Sequence, residues 1–404
     1  MRRLVLLRSI CGPLVVGFVL LGAPLSAAEG PFTAELGYVA CERATLAPDL
    51  IVGGLAYAAD GSWLVYAGAD LLRLSADGSR SVLTSFDPPV FGSFVVRAPT
   101  PGVVLFGESS AGNIYSVPLD GSERSLLDQI SNNYALAFDP EGRGYVSSGA
   151  NGRQEIALLD ADPGNTPRPV IVNMPGFSGP IAVDDTGNLY YGTADFLASS
   201  QSLHRFSQAQ LEAAVTGDPV DFSAGELVLG GFGGFSQMLF HADHLIFSDL
   251  GFTTGAGRVE RLALAGGFEM ESLFVTPHPD GVVSATHIAM FGGDSDFAVG
   301  AGSTGGQLAV VYSDFVSVQG LTEIRPQLFF VRGELNSDGR FDLSDVVWFL
   351  NFFFLGGPEP TPIEAADMNG DGELDISDVV FGLSHLFLAG PPLPAPFPEL
   401  GPAL

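Results

Sequence analysis

Between residues 45 and 325, short apolar runs alternate with polar turns. Six stretches share one pattern: an apolar strand, a turn that often holds Asp or Gly, and a second apolar strand. They are Leu55–Tyr66, Val95–Phe106, Leu136–Ser147, Ile181–Gly192, Met238–Ser248 and Ile288–Val299. Runs of this length bounded by turn residues predict β-hairpins. Most continue into a further strand pair around a turn, as in Leu71–Leu83 and Ile114–Leu127.

A weak self-similarity at a spacing of about 40–50 residues makes the hairpins units of a repeat array. Six repeats of four strands predict a six-bladed β-propeller; five or seven blades, or a β-sandwich, stay open. The fourth repeat is longer, with Ser207–Gly225 read as an insertion and Gln208–Val215 as a short helix. Closure of the ring would pair an early strand, around Glu35–Val39 or Thr45–Leu50, with the last blade. The stretches LAFDPEGRGYVS and IAVDDTGNLYYG resemble NHL-type and gluconolactonase-like propellers. The second resemblance implies one divalent ion at the axis, held by a Glu, an Asn and an Asp from different blades. Asn132, Asn133, Asp195 and Asp249 are candidates, against the plainer reading of each as a turn residue.

Beyond residue 330 the pattern changes. Two apolar segments of about three helical turns each follow an acidic loop, and each ends on small residues and proline. Both loops place oxygen-bearing groups at positions 1, 3, 5, 7, 9 and 12, the spacing with which a loop surrounds calcium. In the first these are Glu334, Asn336, Asp338, the Arg340 carbonyl, Asp342 and Asp345; in the second, Asp367, Asn369, Asp371, the Glu373 carbonyl, Asp375 and Asp378. Gly339 and Gly372 fall at position 6, where the loop turns sharply. Two calcium sites are therefore expected.

Two calcium loops, each followed by one helix and each ending on Asp, resemble a type I dockerin module. That resemblance implies docking onto a cohesin-like partner, with Ser344 and Ser377 at matching places on a two-fold surface. Two departures stand out: Glu334 replaces Asp at position 1, and Leu350-Asn351 and Leu383-Ser384 stand where basic contact residues are usual. The tail could instead cover the protein's own propeller or be purely structural. The expected architecture is mostly β: a leader at 1–28, a propeller at 29–326, a small α-helical dockerin-like domain at 327–398 and a short tail at 399–404.

The N-terminus has arginines, an apolar run broken by Gly and Pro, and small residues at 26–28, the marks of a secretory signal peptide. The chain is read as secreted, with no membrane span once the leader is removed. Cys41 is then the one cysteine left, so no internal disulfide can hold the fold. Acidic residues outnumber basic ones 46 to 17, and every basic residue is Arg. Such a balance argues against nucleic acid or anionic membrane as a partner.

Catalysis has no clear sequence signature. His241 and His244 are read as hairpin residues on opposite strand faces, and His204, His278 and His287 are isolated. The propeller is taken as a binding or structural module with a carbohydrate or small-molecule ligand open to it. The alternative is a hydrolase acting on a lactone or polysaccharide.

Overall fold

Turn chemistry sets the hairpins. In the Asp-Pro-Glu-Gly-Arg and Asp-Asp-Thr-Gly-Asn turns, Asp139 and Asp184 accept the backbone amides of Arg143 and Asn188 at 2.8 and 2.9 Å. Gly142 and Gly187 both take φ 82°, a left-handed value that a Cβ would strain. The structure, a computed structural model, describes residues 4–5, 33–34, 38–45 and 52–402. Within the last range it leaves out 76–78, 150–152, 196–197, 199, 253–256, 277–283, 292–306, 314–318, 327–328, 337, 361 and 399–400.

The strands assort, among the described residues, into four four-stranded and two five-stranded antiparallel-ordered sheets in the propeller region. Each begins with an inner strand: Val52–Tyr57, Gly92–Arg97, Ala135–Phe138, Ile181–Val183, Phe235–His241 and Ser284–Phe291. Successive inner strands touch, and the last also meets the first. The result is a β-propeller around an axial channel. The ring closes where Gln319–Pro326 pairs antiparallel with Tyr38–Thr45, which lies between the two stretches expected for that role. Thr33–Ala34 adds to the fifth sheet beside Met270–Thr276, and Val220–Asp221 adds in parallel to the third.

The core lies between the sheets. Tyr66, Val95 and Phe106 fill the first gap, for example, and Leu55, Val65, Ala309 and Val311 fill the last. Truncating one such side chain costs about 2–5 kcal/mol. The insertion does form a helix, α1 (Gln208–Thr216), started by a reciprocal cap between Ser207 and Gln210.

Two expectations need correction. Ser284–Phe291 pairs with Gln307–Ser313, not with the nearer apolar stretch ending at Val299, which lies outside the described residues. The boundary expected at 326–327 has no separating linker ahead of it: Thr322–Pro326 continues the closing strand because its backbone pairs with Tyr38–Glu42.

The C-terminal part holds α2 (Leu343–Leu355) and α3 (Ile376–Leu388), packed on each other. Its apolar cluster, including Phe330, Leu335, Val346, Phe349, Met368, Leu374, Val379 and Leu393, comes wholly from residues 330–397. Residues 1–28 lie outside the described residues except Leu4–Val5, which pair with Glu373–Leu374. No helix among the described residues is long and apolar enough to cross a membrane.

Candidate functional site

The two acidic loops share a set of equivalent hydrogen bonds. Asp338 N donates to Glu334 Oε1 and Asn336 Oδ1, at 3.0 and 2.9 Å. Asp371 N donates to Asp367 Oδ1 and Asn369 Oδ1, at 3.1 and 2.8 Å. At position 12, Asp345 and Asp378 each accept the amide of the position-3 asparagine at 3.2 Å, and that of Asp342 or Asp375 at 2.8 or 3.0 Å. Each thereby forms the third-residue half of a capping box at the start of its own helix, with Asp342 and Asp375 as N-caps. Gly339 and Gly372 both take φ 81° at position 6.

Burial pushes Asp378 up to about 7, with the charges of Asp367 and Asp371 adding to the rise, and burial raises Asp345 too. Among the described residues no three His, Cys, Asp or Glu side chains converge as a metal cluster. The loop oxygens are instead turned onto backbone amides. The donor set is nonetheless all oxygen, including Asn side chains and a backbone carbonyl at Arg340 and Glu373, which is the chemistry of a hard cation.

Arg332, missed in the sequence, ties the second loop down. It is buried, donates to the backbone carbonyls of Asp367, Glu364 and Ala395, and lies 3.5 Å from Asp367 Oδ2. Only its spacing ahead of Glu334 could have drawn attention to it.

The outer faces of the helices also repeat. Leu343, Val347, Phe354 and Leu355 on α2 are exposed, and so are Ile376, Val380, Phe387 and Leu388 on α3, 33 positions later. Phe349 is fully buried, and Trp348, Phe352, Phe353, Phe381 and Leu386 pack on the core. Most of the aromatic side chains thus turn inward, because three-turn helices on a common core hide more than one stripe. Ser344 and Ser377 take part in the loops, each accepting the Asn336 or Asn369 amide, at 2.6 and 2.9 Å.

A second candidate is the axial cavity, of about 1230 Å³. Its lining carries Ser93, Asn132, Tyr134, Ser236, Gln237, Thr286 and His287 near the beginnings of the inner strands. Of the four acid and amide candidates only Asn132 lines it. Asn133 is buried as a clamp, donating to Glu108 O and Ile130 O and accepting from Ser93 Oγ. Asp249 accepts the amides of Gly233, ahead of the neighbouring inner strand, and of Gly251, in its own turn, at 2.9 and 3.0 Å. The backbone of Asp195 is held by Gln201. The four do not converge.

His241 and His244 stand directly opposite each other across a two-residue turn, with Ala242 and Asp243 at φ 47° and 61°. They therefore share a face, contrary to the expectation from strand alternation, because the turn intervenes. His278 lies outside the described residues.

Burial holds His287 down to about 4 and also lowers His204 and His241. A histidine lowered from its unfolded value contributes stability that is complete above about pH 6.5 and is lost as pH falls towards 4. Asp128, Glu155 and Asp249, raised by burial, work in the opposite direction over that window. The His287 share is therefore isolated by difference. Between pH 7 and 4, His287→Gln is expected to lose about 2 kcal/mol less stability than the parent chain, as read by denaturant unfolding. Parallel losses would refute a neutral imidazole at His287.

No protein-family model matches the chain, and no curated protein does. Solved structures do match. A luciferin-regenerating enzyme is 12% identical, with 72% of this chain and 95% of that one covered and a TM-score of 0.50. A putative gluconolactonase is 14% identical, with 73% and 97% covered and a TM-score of 0.48. Regucalcin, a calcium-binding protein from Agrobacterium tumefaciens, is 15% identical, with 70% and 93% covered and a TM-score of 0.46. At 12% identity the likeness to the luciferin-regenerating enzyme is one of fold alone.

Proposed function

We propose that residues 327–398 form a calcium-built docking module of the dockerin kind. It tethers a six-bladed propeller, itself a binding module, to a cohesin-like domain. Glu334, Asn336, Asp338, the Arg340 carbonyl, Asp342 and Asp345 would hold one ion, and Asp367, Asn369, Asp371, the Glu373 carbonyl, Asp375 and Asp378 the other. Calcium supplies positive charge at the centre of each loop. The chain's own part is to turn its position-12 carboxylates between ion and helix N-terminus, which sets the angle of α2 and α3.

The observation that carries this reading is the repeated exposed face on the two helices, four apolar residues matched by four. Apolar side chains left in water at equivalent places on both repeats suit a partner surface better than a structural cap. Export fits the arginine-led apolar leader, whose removal would also release Glu373–Leu374 from Leu4–Val5.

The test is calorimetric titration of a type I cohesin domain into the full chain, with calcium and with chelator. Binding in calcium alone supports the proposal. Binding in neither condition refutes it and leaves the module structural or covering its own propeller.

A further inference from the structure

We propose that the mouth of the axial cavity binds an uncharged, hydroxyl-rich ligand, such as the end of a neutral saccharide chain. This goes beyond the docking role and does not depend on it. Among the described residues the lining has one formal charge, Arg97, at the far end of an inner strand and so away from the mouth. An ionic ligand would find no counter-charge there, and burying an unpaired charge is costly.

The polar groups at the mouth are neutral and mostly hold one another in place. Tyr134 Oη donates to Ser236 O at 2.8 Å, Ser236 Oγ to Thr286 O at 2.6 Å, and Thr286 Oγ1 to Val311 O at 3.2 Å. Gln237 Oε1 accepts the Ile288 amide at 2.5 Å, which leaves its Nε2 hydrogens to donate. His287 Nδ1 lies 3.2 Å from Thr286 Oγ1, whose proton is already given to Val311. The imidazole therefore carries its proton on Nδ1, and Nε2 is left as an acceptor. An amide donor and an imidazole acceptor on neighbouring inner strands match a hydroxyl group, which gives one hydrogen bond and takes another.

Two aromatic rings complete the mouth. Phe91 and Phe252 both line the cavity while remaining 60% and 51% exposed. They belong to the second and fifth sheets, which stand across the ring from each other. Phe177, on the connection into the fourth sheet, is 60% exposed at the same end. Exposed rings around a polar floor suit the mixed surface of a sugar, with one face apolar and its edge hydroxylated.

The experiment uses the full chain in calcium, with cellotetraose, xylotetraose and mannotetraose as neutral probes and tetragalacturonate as an anionic probe of similar size. Calorimetry is expected to show at least one neutral probe binding and tetragalacturonate not. Phe91→Ala and Phe252→Ala, at exposed positions, should each weaken that binding about ten-fold with the melting temperature unchanged. His287→Gln should weaken it further. No neutral probe bound at millimolar concentration, tetragalacturonate bound as tightly, or phenylalanine variants that bind like the parent would each overturn the proposal.

Discussion

Chelating calcium is expected to unfold the C-terminal module while the propeller stays folded. Its two helices have 13 residues each, and isolated helices of that length are marginal in water. Their common core is small, and a domain of this size buries a modest fraction of its surface. Against that stands charge crowded into each loop, felt most at Asp378, whose burial beside Asp367 and Asp371 raises it to about 7. An ion held at a thousand times its dissociation constant would add about 4 kcal/mol per site, enough to decide whether such a module folds. A fragment spanning 328–398 should gain helical circular dichroism on adding calcium and lose it with chelator. The full chain should keep its β signal throughout, since the propeller gaps are filled from within residues 52–313. A fragment with the same spectrum in both conditions would sink this expectation.

The second large effect concerns the exposed face. Val347 and Val380 are 57% and 60% exposed at equivalent places in the two repeats. Glutamate at either position leaves the helix core untouched but puts a carboxylate where a partner would bury apolar surface. Because the repeats present like surfaces, each single variant keeps one usable half. Val347→Glu and Val380→Glu alone should weaken cohesin capture modestly, and the double variant should abolish it, a loss of about a hundred-fold or more. Calcium binding should be unchanged in all three. A double variant that still docks like the parent would show that the helices are not the contact surface.

Much of this was legible in the sequence because it rests on local rules. Asp139-to-Gly142 and Asp184-to-Gly187 fix their turns within five residues, and five of the six hairpins fall where those rules put them. The sixth failed because the Gly-Gly-Asp-Ser-Asp run after Phe291 reads as a tight turn, so the nearest apolar stretch was mistaken for the partner of Ser284–Phe291, which is Gln307–Ser313. The loops were legible through their spacing. Arg332 was not, since its partners Glu364, Asp367 and Ala395 are brought to it only by tertiary packing. The cavity was equally hidden: Tyr134, Ser236 and Thr286 sit at or just before the starts of three inner strands, and nothing in one strand announces the others.

The most direct measurement is a calcium titration of the full chain by calorimetry, with Asp371→Ala, Asp338→Ala and a chain ending at Pro326 beside it. The account predicts two ions bound per chain, one after either substitution, and none for the chain ending at Pro326. A full chain that binds no calcium, or a truncated chain that binds as much, would contradict it.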